Sequence, residues 1–190
     1  MPRTTKDANR RKLRNAAVAK GVEKGFAAVS VAGVVQRAHV LAGTVDVHFK
    51  NKDDMLGQVY MEIKSEFHGA QIQGLNAGGT ASSIRQMWFR MFDFVSEQPQ
   101  DLLFLEFGNA AKILTPAQQA IVDGFAKDIA DVLRRGVDDG TLVPLYTSLL
   151  SLLLNAPEMQ LARSSALNGT GLDSSTIEQT FDRVWLSIAA

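Results

Sequence analysis

The side chains best equipped for chemistry are few and scattered. The three histidines, His39, His48 and His68, are not spaced as metal ligands, since no pair stands four apart with an acid between. Asp53 and Asp54 are adjacent acids at a helix start, where capping and the positive helix end explain them. The stretch "NAGGT" has no lysine after it and no strand before it, so it is no phosphate-cradling loop. With no cysteine, disulfides and thiolate metal sites are excluded, and a cytoplasmic setting is expected. No catalytic residue, metal or cofactor is expected, and neither is an enzyme. What remains is charge. Residues 1–52 hold 11 Lys/Arg against three acids in a chain whose formal net charge is zero. A basic front joined to an acidic remainder points to a polyanionic partner for the front alone.

The elements that position these residues read as helices throughout. The first is expected from about Asp7 to Lys24, closed by Gly25. Ser30 caps a second that ends at Arg37 or Ala38. Only "HVL" separates it from a third helix ending near His48. Asn51 and Asp54 flank the start of a long fourth helix reaching about Leu75. Further helices are expected over Ala81–Glu97 and Asp101–Ala110, and from a Thr115 cap with Pro116 in the first turn to about Asp139. A leucine-rich helix starting near Leu145 is expected to break or kink at Pro157. The last starts at Ser175 with Glu178 at capping-box spacing. No strand alternation, repeat or membrane-length apolar run is present, and the basic N-terminus lacks the apolar stretch of a signal peptide. The expected fold is all-α with about nine helices: an N-terminal three-helix head with a helix-turn-helix, then a larger helical bundle.

The stretch "VEKGFAAVSVAGVVQRAHVLAGTVDVHFKNKDDML" resembles the N-terminal domain of the tetracycline-repressor (TetR) family of bacterial transcription regulators. The matching positions are Gly25-Phe26, Ser30-Val31, Val34, Ala38, Val40, Gly43-Thr44, His48-Phe49, Lys52 and Leu56. Beyond this stretch of 35 residues, only length and helical layout match. The resemblance implies a DNA-binding head over 1–52 and a ligand-binding and dimerisation domain over 53–190. It implies a double-stranded operator as partner, contacted by Ser30, Ala42, Gly43, Thr44, Val47, His48, Lys50, Lys52 and the arm residues Arg3, Arg10 and Arg11. Ala42, Thr44, Val47 and His48 are the expected base readers, with thymine methyls prominent. Three departures stand out. His39 replaces a turn glycine, Leu41 replaces a Ser/Thr cap, and Asp46 replaces an aromatic that meets phosphate. Asp46 is expected to repel the backbone, to accept from a cytosine amino group, or to pair with Lys50. The alternative is a helical ligand-binding or interaction protein whose degenerate head no longer reads DNA.

In the remainder, Ile84, Met87, Trp88, Met91, Phe92 and Val95 form one apolar helix stripe. A small, largely apolar effector is expected against Ile63, Phe67, Met87, Trp88, Met91, Phe92, Phe104 and Phe107, an adaptable set of aromatics and methionines. The resemblance also implies a homodimer built on the last two long helices. Its expected interface is Leu149, Leu152, Leu153, Ile177, Phe181, Val184, Trp185 and Ile188.

Overall fold

The computed structural model describes residues 5–75, 78–108 and 110–190, and among them nine α-helices form with no strand. They are α1 Thr5–Lys24, α2 Val31–Ala38, α3 Lys52–Ile72, α4 Gly79–Glu97, α5 Pro99–Phe107, α6 Ala110–Ile113, α7 Pro116–Asp138, α8 Thr147–Asn168 and α9 Ser174–Ile188. Short 3-10 helices cover Phe26–Ala28 and Ala42–Val47.

Several helix starts follow from side chains that meet the unpaired N–H groups of a first turn. Ser30 Oγ accepts from the Gly33 N–H at 3.1 Å and opens α2. Asn51 Oδ1 accepts from the Asp54 N–H at 2.9 Å, while the Asp54 carboxylate accepts from the Lys50 N–H at 2.8 Å. Hydrogen bonds from the Gln58 side chain first, then from the Lys50 N–H, hold the Asp54 carboxyl below the usual carboxylate range. Thr115 and Gln118 bond reciprocally at 2.9 and 3.3 Å before α7, the geometry of a capping box.

Two expectations are corrected, the first in part. The leucine-rich helix is not broken at Pro157, since α8 runs continuously through it. Its inward face of Leu150, Leu154, Glu158 and Ala162 is buried on both sides of the proline, which sustains the helix across one missing donor. The Ser175/Glu178 capping box does not form either. Asp173 stands at the cap position of α9, the Ser175 hydroxyl donates to its carboxylate, and Glu178 pairs with Arg85 at 2.7 Å.

The chain divides into two compact units. The first joins the chain up to Ser65 with Gln100–Gln119. Here α1 packs on α2, and Leu13, Ala16, Ala17 and Val18 of α1 are buried. Gly21 admits the Phe104 ring of α5 against α1: a Cβ at this position would lie 2.7 Å from a ring carbon. Phe26 closes the same contact, its ring centroid 4.5 Å from that of Phe104. An ion network ties three helices of this unit. The Arg14 guanidinium of α1 grips the Asp101 carboxylate of α5 at 2.7 and 3.3 Å, and lies 3.3 Å from Glu62 of α3.

The second unit holds Glu66–Pro99 and Ala120–Ala190. Its core is α4 packed on α8 and α9, with α8 and α9 packed on each other. The expected α4 stripe is buried in full, and Phe94, off that stripe, is buried as well. His68 of α3 meets Asp128 of α7 at 2.9 Å and stacks on Phe125. No helix among the described residues is long and apolar enough to cross a membrane.

Candidate nucleic-acid interface

The first unit presents its recognition segment through a tight turn. α2 ends where His39 enters the left-handed region, φ 52 and ψ 47, so the histidine tolerates the conformation that a glycine would favour. His39 N–H donates to the Gln36 carbonyl and Val40 N–H to the Val35 carbonyl, which meets two of the carbonyls left open at the end of α2. The segment that follows, Ala42–Val47, is wound as a 3-10 helix rather than an α-helix. Its composition explains the tighter winding. Gly43, Thr44, Val45 and Val47 are weak α-formers, and Leu41 at the cap position makes no side-chain bond to the first turn.

Two residues anchor this segment. Val45 and Phe49 are buried with Val34 and Ala38 of α2, while Val31 and Val40 stay half-buried. The opposite side faces solvent. Leu41 is 84% exposed and Val47 63%, and Ala42, Gly43 and Asp46 are exposed beside them. Thr44 and His48 are half-buried. The outward face of the segment is therefore apolar with one carboxylate and no cation.

Cations frame it instead, and the fold divides them. Arg10, an expected DNA contact, pairs with Glu62 at 3.2 Å and lies over the Phe49 ring. Lys52 donates to the Ala27 carbonyl at 2.8 Å, which ties the start of α3 to the 3-10 helix before α2. Arg37 and Lys20 both reach Glu23. Lys6, Arg11, Lys12, Lys24 and Lys50 are exposed. Arg3 lies outside the described residues. The anticipated pair of Asp46 with Lys50 does not form; it is the Lys50 backbone N–H that is engaged, by Asp54. Desolvation, then the nearby charges of Arg10 and Lys6, push the His48 pKa below its ordinary value, so the ring is neutral near pH 7 and can both donate and accept.

The residues expected around an effector are placed in both units. In the first, Ile63 and Phe104 are core and Phe107 is exposed. In the second, Phe67, Met87, Trp88, Met91 and Phe92 are all buried, Phe67 meeting the edge of Phe94 and Trp88 packing against Phe92 and Phe181. An open cleft of ≈ 220 Å³ in the second unit is lined by Phe92, Val95, Ser96, Ser165, Leu172 and Ile177 among others. No cluster of histidine and carboxylates fit for a metal occurs among the described residues.

Of the residues expected to pair two copies, Phe181, Val184 and Ile188 are already buried inside the unit. Leu153, Ile177 and Trp185 are half-buried, and Leu149 and Leu152 are exposed. Sequence reasoning missed other outward apolar groups, Tyr146 and Leu167 on the α8 side and Leu186 on α9. It also missed Glu158, a carboxylic acid on the inward face of α8, although its i+4 and i+8 spacing from Leu154 and Leu150 was a usable signal.

A two-helix reading motif on a three-helix head, followed by a helical bundle, defines a helix-turn-helix regulator. Two family models match: bacterial regulatory proteins of the tetR family over residues 13–59, and the tetracyclin repressor-like C-terminal domain over residues 81–189. The chain belongs to the TetR family of bacterial regulatory proteins. Solved structures share its fold at low sequence identity. A TetR family transcription regulator from Marinobacter aquaeolei superposes with TM-score 0.84 at 22% identity, covering 96% of both chains. A TetR-family transcriptional regulator from Haemophilus influenzae gives TM-score 0.74 at 22% identity, over 99% of this chain and 100% of that one. The ketosteroid transcriptional regulator of Mycobacterium tuberculosis gives 0.77 at 16% identity, over 95% of each. No curated protein matches the sequence.

Proposed function

We propose that this regulator acts as a repressor: a homodimer holds a palindromic operator and a small, largely apolar effector in the C-terminal bundle releases it. Residues 1–52 serve as the DNA-binding head and 53–190 as the effector and dimerisation domain. The observation that carries the reading is the outward face of Ala42–Val47, held by Val45 and Phe49 and framed by exposed cations. That face enters a major groove, where Leu41, Ala42 and Val47 meet thymine methyls and Thr44 and His48 meet base edges. Ser30, Gly43 and Lys50 lie beside the phosphates. Leu149 and Leu152, exposed on α8, supply the dimer surface, so that two heads match two half-sites. An effector acts only through unequal affinity for the DNA-competent and released shapes.

The test is duplex affinity against salt on genomic fragments selected with the purified protein. Each phosphate neutralised contributes about −0.9 to the slope of log K against log salt. Lys6, Arg11, Lys12, Lys24 and Lys50, each neutralising one phosphate, set a slope of about −4 to −5 per head, well short of what all the basic residues of 1–52 would give. A second reading is favoured by the same segment: uncapped, 3-10 wound and carrying an outward Asp46, it has lost operator recognition and the chain acts through its bundle. Absence of duplex binding in dilute buffer selects that reading.

A further inference from the structure

The inward face of α8 presents one buried residue per turn, Leu150, Leu154, Glu158 and Ala162. Three are apolar and the fourth is a carboxylic acid. Glu158 is 3% exposed, and its Oε1 has no hydrogen-bond partner. Packing alone does not call for it, since a leucine or methionine of similar volume would fill the position without an unmet acceptor. Burial alone raises its pKa well above the ordinary carboxyl value, with no cation pulling it back.

The charged groups on the helices packed against α8 do not serve it. On α4, Arg85 is directed to Glu178 and Asp182 of α9, Arg90 bonds the Gln73 carbonyl and Gln86, and Asp93 and Glu97 are exposed. On α9, Glu178, Asp182 and Arg183 are exposed. α4 does bring a second unmet polar atom into the same unit. Trp88 is 1% exposed, and its Nε1–H lacks an acceptor. Around it stand Phe92 and Phe181, ring centroids 5.7 and 5.5 Å from that of Trp88. Aromatic faces attract cations, as the Arg85 guanidinium over Phe181 at 5.2 Å already shows in this unit.

We infer that Glu158 recognises charge in the effector, and that the effector is an amphipathic cation, a protonated amine on an apolar frame. The inference rests on the proposed effector role of the bundle and names the ligand class for it. A positive charge that no described residue brings to Glu158 arrives with the ligand. An ammonium N–H donates to the Glu158 carboxylate while the frame lies among Trp88, Met91 and Phe92. The Trp88 N–H is left to meet an acceptor oxygen on the same molecule. The carboxylic proton leaves to solvent as the ion pair forms, because an opposite charge in contact favours the ionised acid.

Three probes with one frame test this on the full chain: 1-naphthylmethylammonium, 1-naphthylmethanol and 1-naphthoate, followed by tryptophan fluorescence and calorimetry. The ammonium is expected to bind at least about tenfold tighter than the alcohol, an ion pair being the stronger hydrogen bond. That preference is expected to vanish in Glu158→Gln. Calorimetry in buffers of different ionisation enthalpy is expected to show proton release with the ammonium and none with the alcohol, a readout that needs no variant. Preference for the alcohol or naphthoate, or a cation preference that survives Glu158→Gln, overturns the inference and leaves the effector reading standing. Binding of none of the three at millimolar concentration, with no melting shift in wild type, overturns both.

Discussion

Removing the Arg14 guanidinium should be among the most damaging single changes in the first unit. Its side chain and that of Asp101 are 12% and 7% exposed, and two N–O contacts of 2.7 and 3.3 Å join them. Arg14→Met leaves Asp101 charged and buried and also takes a cation from Glu62, 3.3 Å away. Breaking a buried pair by deleting one partner costs about 3–5 kcal/mol, because the remaining charge keeps its desolvation penalty without the attraction that offset it. Asp101→Leu should cost less, since Arg14 keeps Glu62. The double change Arg14→Met/Asp101→Leu should recover much of the loss, giving a coupling energy of about 1–3 kcal/mol. The assay is urea unfolding followed by circular dichroism. At a slope of about 1–3 kcal/mol per molar urea, Arg14→Met lowers the midpoint by more than about 1 M. The order of the three variants matters most. If Arg14→Met costs under about 1 kcal/mol, or if the double variant is simply the sum of the singles, the clamp behaves as a surface pair and the argument fails.

Three further outcomes are expected. Asp46→Asn should tighten duplex binding about fivefold, the effect of removing one repulsion of ~1 kcal/mol near a phosphate in water; a sharp loss on a selected site would instead mean that Asp46 accepts from a cytosine amino group. Phosphate favours protonated His48, whose free-state pKa is depressed, so operator affinity should climb as pH falls toward that depressed value and level off once the free ring is protonated, and Glu or Gln at this position should abolish the climb in a pH-resolved titration. Glu158 has a folded pKa above its unfolded one, so wild type should match Glu158→Gln most closely below about pH 4.5 and lose ground as pH rises through the folded value, by up to about 1.4 kcal/mol per unit in thermal or urea melts; equal pH profiles for the two proteins would contradict its burial.

Local rules were the part of this fold that the sequence could reveal. Ser30, Asn51 and Thr115 cap helices through bonds of three-residue span, and the α4 stripe depends only on helical period, so both could be read without tertiary knowledge. The break expected at Pro157 does not occur because the proline's penalty is local, whereas the burial that sustains α8 is contributed by α4 and α9. The same reason hid the fate of Arg10, Lys52 and Phe104. Each is compatible with a surface or ligand role by type, and each is engaged by a partner 25 or more positions away, Glu62, Ala27 and Gly21.

The charge count of the head shows how such distant pairing alters function. Composition treats eleven cations as equivalent, but a cation already satisfied within the fold gives up that contact before it can neutralise a phosphate. Arg14, Arg10, Arg37 and Lys20 face carboxylates, and Lys52 faces a carbonyl. Arg14 and Arg10 tie α1 to α5 and α3, Arg37 ties α2 to α1, and Lys52 ties the start of α3 to Ala27, so these contacts brace the head rather than supply its attraction. Attraction falls to the exposed Lys6, Arg11, Lys12, Lys24 and Lys50, which carry no base information when they meet phosphate. Base preference is then left to an apolar face with one acid, Leu41, Ala42, Asp46 and Val47. Such a face gains little from phosphate and discriminates mainly by methyl groups and cytosine amines, so a weak overall affinity and a sharp preference among sequences can coexist in this head.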